Sequence, residues 1–476
     1  MDAQPTAKIP RAQGGVQLKA DPRLQRRYQV LMESHLSHSH RVAAGMHLPA
    51  SLEHSFAATQ GAWRFYANPR ITLEQLANPP LQCAAEDVPQ VCDRYVLVAM
   101  DWCNLHLNDH DCKSDRVKLA HSKDLGYELL TALAISDLTG QPIAPLCLEM
   151  RAADGVHSTR LSTPFEAPSV LDGLEPVMLH VRGLKLGKTP VFVIDREADS
   201  VGHYRRWDAA GLLFLVRADD DRRVLHDGQE RRQDKVADEL KRQNGFVLSG
   251  PVQYKGQPAM QYVAETGVIL HRPARSQRVD PKTGKKRHYN IAGAPLALRL
   301  IVSEIRDANG AVLARWLLLN NLPWEVEAAR VALWYYWRWQ IESYHKLLKG
   351  AGQQVECWQQ ETAQAMARRL LVAAMAGVVV WRLAREQSPE ATELRDVLVR
   401  LSGRQMKRGK RARAFTEPAL LAGLGILLPM LDLLCRYDVQ ELRELVATVL
   451  PWITTGISAA ALHPPAPRSH THDSVV

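Results

Sequence analysis

The segment PVFVIDREADS, Pro190 to Ser200, sets four apolar residues, Val191 to Ile194, directly before three carboxylates gathered around one arginine. A short apolar run behind a proline reads as a buried strand. Asp and Glu are almost never fully buried unless paired, so a core strand running into Asp195, Glu197 and Asp199 should end at a site. YVLVAM, Tyr95 to Met100, repeats the pattern: it is apolar throughout and stops at Asp101. In α/β sheets, ligand sites gather at the carboxyl ends of strands.

Working outward from these two runs gives an α/β order. YELLTALAISD and PIAPLCLEM flank DLTGQP, whose glycine and proline predict a hairpin turn. VFVI is followed by a helical pattern through SVGHYRRWDAA and then, past Gly211, by a strand in LLFLVRA. A hairpin and then strand, helix, strand predict a mixed sheet with helices packed on it.

We place a helical, basic module at 1–80: DPRLQRRYQVLMESHL opens with an acidic cap and a proline in the first turn, and TQGAWRFYANP holds a second helix ended by Asn68 and Pro69. The sheet occupies 81–218. A β-rich insertion follows at 219–295, with runs such as FVLSGPVQY and QYVAETGVIL, and the α/β pattern resumes over 296–358 with LALRLIVSEI, WLLLNN and one long helix from about Val331 to Gly350. Residues 359–476 read as a helical region with a polar, proline-rich tail.

Composition narrows the partner. Sixty Lys and Arg against 51 Asp and Glu give a formal charge of +9, with a pI near 9.2. Such a surface attracts polyanions, nucleic acid before an anionic membrane. Seven Cys without CxxC spacing fit a reducing compartment better than a disulfide framework. No signal-peptide pattern opens the chain, and the longest uncharged apolar stretch, Leu370 to Trp381, falls short of the roughly 20 residues of a membrane span. The expectation is a cytoplasmic protein with no membrane partner.

The long helix adds chemistry to the two aspartates. At about 100° per residue, Tyr335, Arg338, Glu342 and Lys349 fall within about 60° of one another. The rest of that helix is largely aromatic and apolar, including Trp334, Tyr336, Trp337, Trp339 and Ile341. A polar stripe on such a helix more plausibly looks into a site than into solvent. Taken singly, Asp101 and Asp195 could simply cap turns. Together with Glu342 they can hold hard divalent cations, Mg²⁺ or Mn²⁺. Arg338 and Lys349 would then grip phosphate oxygens. Three carboxylates, two such ions and a cationic stripe suit in-line displacement at a phosphodiester.

In this order and spacing the chain resembles the DDE transposases of the insertion-sequence-four family. The resemblance is carried by Asp101, Asp195 and Glu342 on strand, strand and helix, by Y-x2-R-x3-E-x6-K from Tyr335 to Lys349, and by IDREADS, RFYANP and WLLL. It runs from about Asp21 to beyond Gln354 and implies a ribonuclease-H-like core. The reaction it implies cuts double-stranded transposon ends through a hairpin intermediate and joins the 3′-hydroxyl to target DNA, with Asp101, Asp195 and Glu342 as the catalytic metal ligands. The resemblance further implies that Tyr335, Arg338 and Lys349 contact phosphate, that Trp316 stacks on a flipped base, and that Arg217 lies near the distorted end. Arg196, Glu197 and Asp199 would orient the site. It also implies a homodimer in the DNA complex, formed through the C-terminal region, in a bacterial, nucleoid-associated protein. The alternatives are a transposase-derived DNA-binding regulator without cleavage and a stand-alone metal nuclease.

Two basic runs, RPARSQRVDPKTGKKRHYN and MKRGKRAR, read either as solvated turns or as tracks for a phosphate backbone. Cys103, His106, His110 and Cys112 match no common zinc spacing. PALLAGLGILLPMLDLLC is apolar enough for core or for a subunit interface, and core is the simpler reading.

Overall fold

The computed structural model describes residues 18–37, 55–121, 123–166, 169–279, 286–403, 415–435 and 437–449. Three helices come first: α1 (Pro22–Ser37), α2 (Ser55–Ala67) and α3 (Leu73–Val91). Helix α3 was not expected, because Pro79, Pro80 and Pro89 lie inside it. A reciprocal cap starts it: Thr72 accepts from the Gln75 backbone N–H, and the Gln75 side chain accepts from that of Thr72. Its buried face, including Leu76, Cys83, Ala84 and Val88, holds it to the core. The boundary expected at residue 80 falls within this helix.

Five strands form the central platform: β1 (Tyr95–His106), β2 (Leu125–Ser136), β3 (Pro142–Ala152), β4 (Thr189–Ile194) and β5 (Leu213–Arg217). The strands β1, β2 and β3 form an antiparallel meander, with Gly140 at φ +69° in the turn between β2 and β3. Parallel pairing then joins β4 to β1 and β5 to β4, with α4 (Leu174–Gly183) and α5 (Val201–Ala209) preceding the fourth and fifth strands. The spatial order β3-β2-β1-β4-β5 is that of a ribonuclease-H-like core. Central strands buried on both faces explain the unbroken apolar runs: Tyr95 to Asp101 and Val191 to Ile194 are buried throughout.

The insertion does not stand apart from this sheet. It contains β6 (Arg223–His226), β7 (Gln229–Arg232), α6 (Gln233–Arg242), β8 (Val247–Tyr254) and β9 (Gln257–Leu270). Next come the hairpin β10 (Ala274–Val279) and β11 (Lys286–Ile291), then β12 (Leu296–Arg306) and β13 (Val312–Asn320). Strand β9 pairs with β12 from Met260↔Arg306 to Leu270↔Leu296, β12 pairs with β13, and β13 joins β5 at Leu318↔Arg217. With two further short strands at its core edge, Val117–Lys118 and Gly155–Ser158, one 13-stranded sheet therefore runs from the core through the insertion. The first basic run forms the separate β10–β11 hairpin around residues 280–285, which lie outside the described residues, as does MKRGKRAR.

The helix expected over 331–350 is divided at Arg338 into α7 (Ala328–Trp337) and α8 (Trp339–Leu348). The Arg338 N–H is shared between the carbonyls of Trp334 and Tyr335, so the ladder shifts there while the backbone stays helical. The C-terminal helices are α9 (Ala363–Arg385), α10 (Pro389–Leu401), α11 (Glu417–Leu434) and α12 (Val439–Val449). Thr362, Ser388 and Thr416 cap the first three. By length and composition α9 and α11 are both long and apolar enough to cross a membrane. The most apolar window of α9 is 89% buried within the protein and that of α11 only 28%. PALLAGLGILLPMLDLLC is thus core in its first half, where Leu420, Leu421 and Leu424 pack, and surface in its second, where Ile426, Met430, Leu431 and Leu434 are exposed.

Candidate active site

Register places the two aspartates: Asp195 follows the last residue of β4 as expected, whereas Asp101 lies inside β1, which the hairpin pairing with β2 carries on to His106. Met100 and Ile194 are partners across the parallel β1–β4 pair, so Asp101 and Asp195 leave that pair side by side, at the spacing of neighbouring strands, about 4.8 Å. Beyond this point the chains diverge: β1 continues to His106, whereas Asp195 caps a short 3₁₀ turn, Arg196–Ala198, accepting from the Glu197 N–H at 2.9 Å. The capping reading of Asp195 is therefore real, and it leaves the carboxylate half-buried beside Asp101.

Helix α8 brings the third carboxylate. Arg338, 9% exposed, lies between the acids: Nη1 is 3.2 Å from Asp101 Oδ2 and Nη2 is 3.6 Å from Glu342 Oε1. Asp101 is 7% exposed, and burial pushes its carboxyl up to about 7. Arg338 opposes that rise, while Glu342 and Asp195 add to it. Burial and the Asp195 charge also raise Glu197. One guanidinium does not neutralise this group of acids, and a site short of positive charge is suited to a divalent cation.

Among the described residues, the side chains that close to metal-binding spacing are Asp101, Glu342 and His345, whose ligand atoms lie within 4.8 Å of one another. His345 is the residue the sequence reading missed. It follows Glu342 by three positions, and at about 100° per residue it points within about 20° of Arg338, so helical spacing could have found it. The ring is 6% exposed, Nε2 has no hydrogen-bond partner, and burial with Lys349 and Arg338 nearby pushes its pKa down to about 3. It is neutral at pH 7, with a lone pair to offer. Oxygen donors, a deficit of positive charge and this neutral imidazole all fit a divalent ion.

The remaining expected residues fall into two groups. Tyr335, Trp316 and Arg217 gather beside Asp195: Tyr335 and Trp316 meet edge to face at 5.5 Å, and Arg217 is the register partner of Leu318, two residues beyond Trp316. Burial raises the Tyr335 hydroxyl, against the charges of Arg338 and Arg217. Lys349 lies elsewhere, its Nζ 2.5 Å from the Asn104 carbonyl and 3.2 Å from Glu356. Its ammonium is taken by the protein, and Arg338 is likewise engaged by carboxylates.

The acids after β4 are not held by Arg196, which pairs with Asp219 at 3.4 Å. Asp199 is fixed instead by Arg222 at 2.7 Å and by the Tyr204 hydroxyl at 2.8 Å. The Cys103, His106, His110 and Cys112 set does not gather: His106 faces Asp124 at 3.7 Å, and His110 Nε2 donates to the Glu356 carbonyl.

No protein-family model matches the chain. Among solved structures, a piggyBac transposase synaptic complex with hairpin DNA aligns at a TM-score of 0.31 and 8% identity, over 90% of this chain and 66% of that one. The chain thus spans just under two thirds of that structure. At so low a score, what the site can do rests on the register and distances above.

Proposed function

We propose that this chain is a divalent-metal-dependent DNA transposase of the DDE type, cutting transposon ends through a hairpin and joining the freed 3′-hydroxyl to target DNA. One observation carries the reading: Asp101 and Asp195 stand side by side where neighbouring parallel strands part, and α8 brings Glu342 to the same buried, charge-deficient place. Asp101, Asp195 and Glu342 would hold two ions, Mg²⁺ or Mn²⁺. Bound there, such ions lower the pKa of the attacking water or hydroxyl and offset charge on the leaving oxygen.

The chain's own residues supply position. Arg338 balances Asp101 and Glu342 in the protein described, and its two-pronged donor geometry suits a phosphate once those acids are otherwise compensated. Trp316, packed edge to face on the buried Tyr335 ring, would offer aromatic surface for an unstacked base, with Arg217 and the Tyr335 hydroxyl near its phosphate. Lys349 ties the end of α8 to β1 and to Glu356, which keeps Glu342 and His345 aimed at Asp101. A net charge of +9 favours DNA as the polyanion. Two copies would hold two ends, and the exposed second half of α11 is available surface for that pairing.

The test is incubation of the purified protein with Mg²⁺ and DNA carrying the inverted repeats that flank its gene. Hairpin and joined products are expected. Nicks alone would make it a nuclease, and a gel shift without cleavage would make it a DNA-binding regulator.

A further inference from the structure

The buried histidines other than His345 among the described residues bond a side chain through at least one ring nitrogen: His157 to Asp154, His226 to Thr266 with its Nδ1 left without a partner, and His35 through both. His35 has Nδ1 2.7 Å from Gln353 Oε1 and Nε2 3.3 Å from the Tyr66 hydroxyl. His345 is as buried, yet its Nε2 has no partner, and a ring nitrogen lies within 4.8 Å of carboxylate oxygens of both Asp101 and Glu342. A buried nitrogen left unpaired is costly, and in a ring set beside two acids it calls for an explanation.

We propose that His345 is a ligand of the divalent ion held by Asp101 and Glu342, giving that ion two carboxylate oxygens and one imidazole nitrogen. The inference rests on the reading of the site as a metal centre and goes beyond the three-carboxylate set. Helix geometry supports it: Glu342 and His345 are three residues apart on α8, and a Glu-x-x-His pair on one helix delivers oxygen and nitrogen to the same ion in dimetal carboxylate proteins. The second place, between Asp101 and Asp195, offers oxygen only. The two positions therefore differ in kind, and the difference selects metals. Imidazole suits Mn²⁺ and the later divalent ions better than Mg²⁺, which keeps to oxygen and water. The Asp101–Glu342–His345 position should favour Mn²⁺, while the aspartate pair takes either ion.

Pulsed electron paramagnetic resonance decides the matter on the full-length, metal-stripped protein titrated with Mn²⁺ alone. Wild type should show nitrogen-14 modulation from a directly bound imidazole, and uniform nitrogen-15 labelling of histidine should replace it with the nitrogen-15 pattern. His345→Gln should abolish the modulation and weaken the tighter Mn²⁺ site by roughly tenfold or more, while Mg²⁺ affinity, read by competition, changes by less than about threefold. Bound Mn²⁺ without nitrogen modulation in wild type would overturn the assignment and leave the carboxylate reading standing. Modulation that survives in a folded His345→Gln, checked by circular dichroism, would do the same. Failure of wild type to bind Mn²⁺ at millimolar concentration would sink both readings. The labelled wild type answers the question even if the variant does not fold.

Discussion

Replacing Asp101 with Asn tests how much stability the protein gives up to keep its site. Asp101 is 7% exposed, and its carboxyl is raised from an ordinary 3.8 to about 7 because burial and the neighbouring acids outweigh Arg338 at 3.2 Å. The sign follows from linkage: between about pH 4 and pH 7 the native state holds a proton that the unfolded chain has released, so stability falls as pH rises through that window and levels off above it. Between pH 5 and pH 8 these two pKa values correspond to a loss of about 2–3 kcal/mol. Asn carries no such proton. Asn keeps the same charge, none, across the whole range, so the difference in slope isolates the ionisation of the carboxylate beside Arg338. The assay is guanidinium unfolding in EDTA at pH 5, 6, 7 and 8, with the variant's stability minus that of wild type expected to rise by about 2–3 kcal/mol across the range. Parallel curves for the two proteins would refute the claim that Asp101 is held against its charge. In wild type at pH 8, Mg²⁺ at ten times its dissociation constant should restore about 1.4 kcal/mol, because the ion binds the native site alone.

Asp195→Asn and Glu342→Gln should abolish metal-dependent cleavage of end DNA while gel-shift affinity stays within about threefold of wild type; an equal loss of binding would count against the metal role. Trp316→Ala should permit the first nick and block hairpin formation, so that nicked DNA accumulates on a denaturing gel; hairpins at the wild-type rate would remove the stacking role. Gly126→Ala should cost about 3 kcal/mol or more in denaturant unfolding, because a Cβ there would lie 1.8 Å from the Leu105 carbonyl oxygen across the β1–β2 pair. A variant as stable as wild type would mean that the close pairing of β1 and β2 is not needed.

Local periodicity made the platform legible. Apolar runs ending at Asp101 and Asp195 marked the central strands because those strands are buried on both faces, and DLTGQP marked the β2–β3 hairpin through its turn residues. Helix spacing placed Arg338 and Glu342 on one stripe, and their ion pair at 3.6 Å is the contact that such spacing predicts. Helix α3 was hidden because three prolines argue against a helix locally, while the Thr72–Gln75 cap and burial under the sheet outweigh them. The continuity of the sheet through the insertion was also hidden, since strand pairing across tens of residues leaves no mark on local pattern.

The order of the platform strands, the carboxylates that close the apolar runs and the polar stripe on an otherwise apolar helix were determined by the sequence alone, since each depends on neighbours a few residues away. Only the tertiary structure decided the partners of these groups. It gave Arg338 to Asp101 and Glu342, Lys349 to Asn104 and Glu356, and Asp199 to Arg222, and it set the His345 ring, with Nε2 lacking a hydrogen-bond partner, beside two acids. Charge and proton affinity at a site depend on burial and on groups brought from distant positions, and the chain acquires both only when the sheet closes and α8 packs against it.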